Sequence, residues 1–166
     1  MAKYQKSFVK LITSWAIAII ISFLFIFPAT ALTQDLQFNG STGYQVKARF
    51  SYNKTQTPEM IAEHGLGKTQ VLDSMEVNFY DPSGEIIETY KNIVDGVATG
   101  TYFEFNFDPV TQQILGNIDL GGESAGEIYL KGNIDRGISL IEVEASGVEK
   151  VIDQIKGNQL ILIVDK

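Results

Sequence analysis

From Phe103 to Phe107 every second residue is a phenylalanine, with Glu104 and Asn106 between them and Tyr102 just before. An extended chain sends successive side chains to opposite sides, so this spacing gives one dry face and one wet face only as a strand. The rhythm recurs. Val46, Ala48, Phe50 and Tyr52 alternate with Lys47, Arg49 and Ser51, and Met75, Val77 and Phe79 alternate with Glu76 and Asn78. Turn residues separate the runs. Asp81-Pro82-Ser83-Gly84 predicts a hairpin over 78–90, and Asp108-Pro109-Val110-Thr111 predicts a second whose return limb runs from Gln112 to Leu120. Further strands are expected from Glu127 to Ile134 and from Ile138 to Ala145. The run Gln159 to Val164 does not alternate, and reads as a covered strand or a strand end tucked inside a sheet. Helix signals are confined to Pro58–His64, with Thr57 as cap, and to Val148–Ile155. The expected fold is all-β: an antiparallel sandwich or barrel of about eight strands. Closure depends on register, which leaves both open. Each of Phe103, Phe105 and Phe107 contributes about 1.5–3 kcal/mol on burial, so their hairpin is expected to anchor the core.

The N-terminus carries a different pattern. Lys3, Lys6 and Lys10 precede an uncharged run of 17 residues, Leu11 to Phe27, which Pro28 ends. Ala29-Thr30-Ala31 then supplies the small-x-small pattern of an export cleavage site, placing the cut before Leu32. Residues 1–31 read as a signal helix, with an uncleaved membrane anchor as the alternative, and residues 32–166 as one β-rich domain. The expected location is periplasmic or extracellular, with no membrane association after cleavage. Loss of the three leader lysines takes the formal charge from −7 to −10. Such a body repels phosphate backbones, so nucleic acid is not an expected partner. The chain has no cysteine, so an exported domain of this kind holds together by packing alone.

Motifs with chemical meaning are few. Gly122-Glu123-Ser124-Ala125-Gly126 fits the Gly-x-Ser-x-Gly elbow of α/β-hydrolases, but a strand pattern follows it and the one histidine, His64, lies upstream. Gly65-Leu66-Gly67-Lys68 lacks the spacing of a phosphate loop. One histidine and no cysteine leave no zinc set. Asp108, Asp119, Glu123 and Glu127 lie close together in sequence and supply only oxygens, the chemistry calcium needs, yet in no established calcium spacing. No cofactor is expected. Trp15, the single tryptophan, is in the leader. Any sugar-stacking platform would therefore come from Tyr44, Tyr80, Tyr90, Tyr102 or Tyr129. Asn39-Gly40-Ser41 and Asn53-Lys54-Thr55 fit the glycosylation acceptor pattern. Gly116-Asn117-Ile118-Asp119 recurs as Gly132-Asn133-Ile134-Asp135, which suggests two similar ends of neighbouring strands.

The runs Phe79–Gly84, Phe105–Thr111 and Asp119–Gly126 together resemble a group of exported cyanobacterial β-domain proteins of unknown function, over most of residues 38–164. A more distant similarity is to β domains of bacterial surface proteins with a Pro-Glu-Pro sorting tail. This chain instead ends Leu162-Ile163-Val164-Asp165-Lys166. The resemblance implies no activity. The expectation is a non-enzymatic exported domain with a binding or envelope role, its partner a surface protein or a polysaccharide. The alternatives are a barrel carrying a small apolar ligand between Phe103, Phe105 and Phe107, and a hydrolase using paired carboxylates. N-terminal sequencing of the exported protein checks the leader: the first residue is expected to be Leu32, and a chain still carrying residues 1–31 contradicts cleavage.

Overall fold

The computed structural model describes residues 31–56, 59–155 and 160–163. The first sheet is built from β1 (Ala31–Asn39), β2 (Gln45–Asn53), β4 (Gly67–Lys68), β5 (Leu72–Tyr80), β6 (Ile86–Val94), β7 (Val97–Ala98) and β14 (Leu160–Ile163), and the second from β3 (Ile61–His64), β8 (Glu104–Asp108), β9 (Gln113–Ile114), β10 (Asn117–Gly121), β11 (Ile128–Asn133), β12 (Gly137–Val143) and β13 (Glu149–Ile155). Their orders are β14-β1-β2-β5-β6-β7-β4 and β13-β12-β11-β10-β8-β3, with β9 pairing β8. All pairings are antiparallel. The fold is all-β and sandwich-like, two facing sheets and not a closed barrel.

The alternating runs form strands as expected. Val46, Ala48, Phe50 and Tyr52 of β2, and Met75, Val77 and Phe79 of β5, face inward and are buried. The predicted hairpin pairs Asn78 with Thr89. Its turn is held by Asp81, whose Oδ1 accepts from the Ser83 and Glu85 amides, while Gly84 takes the left-handed φ of 88° that the exit requires. The Phe103–Phe107 strand opposes β2. The Phe50 ring meets those of Phe105 and Phe107 edge-on at centroid distances of 4.9 and 5.1 Å. Such pairs add about 0.5–1.5 kcal/mol to their area burial. These rings fill the space between the sheets; they do not line a barrel cavity.

Both helix expectations are corrected. Residues 61–64 form β3 on β8, with Ile61 and Glu63 buried at a two-residue period; Thr57 and Pro58 lie outside the described residues. Residues 149–155 form β13 on β12. A tight turn closed by Gly147 N–H to the Glu144 carbonyl leads into β13, and its Val151 and Ile152 suit a pleated surface. The strand number also rises above eight, because β4, β7 and β9 are two-residue pieces and β1 precedes the first expected strand. Among the described residues β14 stands at an edge of the first sheet, paired with β1. Residues 1–30 of the expected leader, and Gln159 and Val164 of the expected last strand, lie outside the described residues.

Three buried polar side chains bridge the two sheets. Asn92 of β6 donates Nδ2–H to the Gly121 carbonyl and accepts the Gly121 N–H on Oδ1, both at 3.0 Å. Glu63 of β3 accepts the amides of Gln70, Val71 and Leu72 where the chain enters β5. Asp153 of β13 accepts the Ser41 hydroxyl and the Thr42 amide in the β1–β2 turn. Each ties a strand or turn of one sheet to the other, and Glu63 does so directly beside Phe105, its cross-strand partner. The outer face of the first sheet is self-balancing: Asp35, Arg49, Glu76 and Lys91 oppose one another in turn across four strands, with a two-bond Asp35–Arg49 pair.

Replacing Phe105 with alanine is expected to lower the unfolding free energy by about 3–5 kcal/mol. Tyr102→Ala on the opposite face of the same segment is expected to change it by less than about 0.5 kcal/mol. Urea unfolding of both variants checks this, and equal losses would contradict the facing assigned here.

Candidate functional site

Asn92 brings β6 of the first sheet against β10 of the second. Along that seam lies a cleft of about 330 Å³. Tyr90 and Asn92 line it from β6, Tyr102 and Phe103 from the segment before β8, Asp119 from β10, and Glu123 and Glu127 from the β10–β11 connection. Gly121 lets β10 lie close to the β11 backbone and to the Phe79 ring of the first sheet. It has φ 117°, and a Cβ there would stand 2.5 Å from the Ile128 carbonyl oxygen and 2.9 Å from the Phe79 ring. The loop is closed by Ser124 N–H to Glu127 Oε2 at 2.6 Å and by Gly126 N–H to the Val143 carbonyl at 2.7 Å.

Lys131 of β11 stands at the cleft edge. Asp119 and Lys131 are direct cross-strand partners, and Glu104 opposes Asp119 on the other side. The Lys131 ammonium lies 2.8 Å from Asp119 Oδ2 and 3.3 Å from Glu123 Oε1. The same nitrogen is 5.5 Å from the centre of the Tyr102 ring and 5.6 Å from that of Tyr129, within cation–π range of both. Tyr102 is 64% exposed, whereas Tyr129 is buried.

This arrangement sets the protonation behaviour. Burial, reinforced by the neighbouring Glu123, pushes the Asp119 carboxyl up to about 7 against the pull of the ammonium. Burial alone would depress Lys131, but its bonds to Asp119 and Glu123 outweigh that and hold the ammonium above its ordinary range. Tyr90 is pushed up to about 12 by burial and by the charges of Glu127 and Glu88. Tyr129 is also pushed up to about 12, by burial and by its hydrogen bond to Glu149. Both phenols therefore act as neutral donors at ordinary pH.

The structure divides the residues that the sequence singled out. Asp119, Glu123 and Glu127 share the cleft, but Asp108 caps its own turn through the Val110 and Thr111 amides. Among the described residues no three His, Asp or Glu side chains form a metal-holding group. Ser124 is exposed on the cleft rim in a loop between two strands, and His64 sits on β3 without lining the cleft. Of the tyrosines, Tyr90 and Tyr102 line the cleft, Tyr129 lies under Lys131, Tyr44 packs against the core, and Tyr80 carries Lys47 over its ring at 4.8 Å. Gly67-Lys68 forms β4 on β7. The Asn53 side chain accepts from the Thr55 amide and hydroxyl within its own acceptor triplet. The repeated Gly-Asn-Ile-Asp places Asn117 opposite Asn133, with a 2.8 Å side-chain bond between them. Ala29 lies outside the described residues, and Ala31 and Leu32 open β1 opposite Asn53 and Tyr52. Sequence reasoning missed Lys131 and Asn92. Tyr129 and Lys131 share a face by their spacing, but their partners appear only once the register is known.

Compared with known proteins, the chain matches no family model, no curated protein and no solved structure.

The raised Asp119 carboxyl has a stability consequence. Near pH 4 and above, the unfolded chain loses this proton, while the folded chain keeps it up to about 7. Raising the pH across that window therefore lowers stability, and the contribution is constant above it. Asp119→Asn removes the effect. Urea unfolding at about pH 4.5 and about pH 7.5 is expected to show the wild type losing stability relative to the variant as pH rises; a difference that stays fixed, or that shifts in favour of the wild type, contradicts the raised carboxyl.

Proposed function

We propose that this chain is an exported, non-enzymatic β-sandwich domain that binds a hydroxyl-rich polysaccharide at the seam cleft. One observation carries the reading: Tyr102, an exposed ring, stands beside a polar cleft on a body whose interior is filled. An aromatic face stacks on the apolar face of a sugar ring while neighbouring carboxylates and phenols take up its hydroxyls. Pockets with a few convergent polar groups on an apolar body are the usual form of a ligand site. The filled interior weighs against the apolar-ligand carrier, because Phe103, Phe105 and Phe107 are each no more than 3% exposed. The export leader and the resemblance to exported cyanobacterial proteins support action in the periplasm or outside the cell, in contact with envelope polysaccharide.

A carboxylate hydrolase is the second reading, favoured by Asp119, whose proton is held to about 7 beside Glu123. A general acid needs such a pKa. Lys131 weighs against it, since one ammonium occupies both carboxylates.

The test is native electrophoresis of the protein, purified after expression of the full chain, through gels containing mannan, xyloglucan or dextran. At least one polymer is expected to retard the wild type, and Tyr102→Ala is expected to run unretarded. Identical mobility of both proteins in every gel removes the binding reading. Release of reducing ends from the retarding polymer, abolished in Asp119→Asn, would establish the hydrolase instead.

A further inference from the structure

The geometry points to a sugar that carries a free amino group: the cleft recognises amino-sugar units, and Lys131 occupies the ammonium position in their absence. This rests on the polysaccharide reading above and specifies its substrate class.

The argument begins with what surrounds one nitrogen. The Lys131 ammonium touches two carboxylates and lies over two tyrosine rings, at the distances given above. Carboxylates supply charge-assisted acceptors, and aromatic faces attract a cation through the ring quadrupole. Together they are the components of a primary-ammonium receptor, here filled from within the chain. The side chain that fills it is 48% exposed and ends a flexible four-carbon stem, so it can swing out without disturbing a strand.

Charge then separates the sugar classes. Glu123 and Glu127 already outnumber the single ammonium at the cleft, and Asp119 adds to the excess once ionised. A uronic acid would be repelled. A neutral sugar would gain hydroxyl hydrogen bonds from the carboxylates but no charge pairing. An amino sugar uses every part of the site: its ammonium replaces that of Lys131 between Asp119 and Glu123, and its ring lies against Tyr102. The alternating charges on the outer face of the first sheet offer no rival, because Asp35 and Arg49 already satisfy each other.

The test is isothermal titration of the same full-chain preparation with a glucosamine tetramer, its N-acetylated counterpart and a galacturonic acid tetramer. The glucosamine tetramer is expected to bind about tenfold or more tighter than the acetylated one, with affinity falling as salt rises, and the uronic tetramer is expected not to bind. Lys131→Met, which keeps the stem and removes the competing charge, is expected to bind the glucosamine tetramer about tenfold tighter. A purely structural Lys131 would give no gain. Glu123→Gln provides a second variant and is expected to lose affinity for the amine alone. Equal affinity for amine and acetylated tetramers overturns the amino-sugar inference and leaves the polysaccharide reading intact. No binding of any tetramer, together with no retardation in the polysaccharide gels, defeats both.

Discussion

A single carboxamide sets where the two sheets meet. Asn92 presents to Gly121 the same donor and acceptor pair that a neighbouring strand would, so β6 and β10 are joined although they belong to different sheets. Gly121 must lack a side chain, because a Cβ there would meet the β11 backbone and the Phe79 ring of the first sheet. Asn92 is buried, and a buried donor or acceptor left unmade costs about 1–3 kcal/mol. The seam cleft exists because this contact holds Tyr90 and Asn92 of one sheet beside Asp119 of the other. Glu63 and Asp153 do similar work at other points of the sandwich, each turning a would-be orphan carboxylate into an acceptor for amides or a hydroxyl from the opposite sheet.

The aromatic centre supplies cohesion and the polar bridges supply alignment. Hydrophobic burial is non-directional, so the Phe50–Phe105–Phe107 cluster would tolerate some sliding of one sheet over the other. A hydrogen bond to a fixed amide does not. The cleft inherits this precision: the distances at Lys131 depend on β10 and β11 being in one register, and the repeated asparagines at 117 and 133 lock it. A preorganised site spends less binding energy on ordering itself, which suits a recognition role.

Much of the layering was legible in sequence. β2, β5 and β8 are written in alternation, and the turn at Asp81–Gly84 in residues with fixed conformational roles. The failures have physical causes. The segment Val148–Ile155 is long enough for two helical turns, but pairing with β12 outweighs that local option. Residues 61–64 went the same way once β8 offered a partner. β7 is too short to show a two-residue period, although Asp95-Gly96, both with positive φ, makes the tight turn that reverses β6 into it. The choice between sandwich and barrel was not in the pattern at all, since alternation fixes faces and not the order of strands. At the site, the acids were visible as a group, but as oxygen ligands for a cation. Their actual partner, Lys131, is a register neighbour of Asp119 twelve residues along the chain, and register is the one property that a two-residue period leaves free.

The most direct test of the sheet-to-sheet account is native-state amide hydrogen exchange at Gly121, Val71 and Thr42, whose N–H groups bond to Asn92, Glu63 and Asp153 of the opposite sheet. If these side chains align the sandwich, the three amides exchange only through global unfolding, as slowly as the central amides of β2 and β5. Exchange at the rate of the exposed Glu123–Gly126 loop would show that the bridges open freely and that the sheets are aligned by something else.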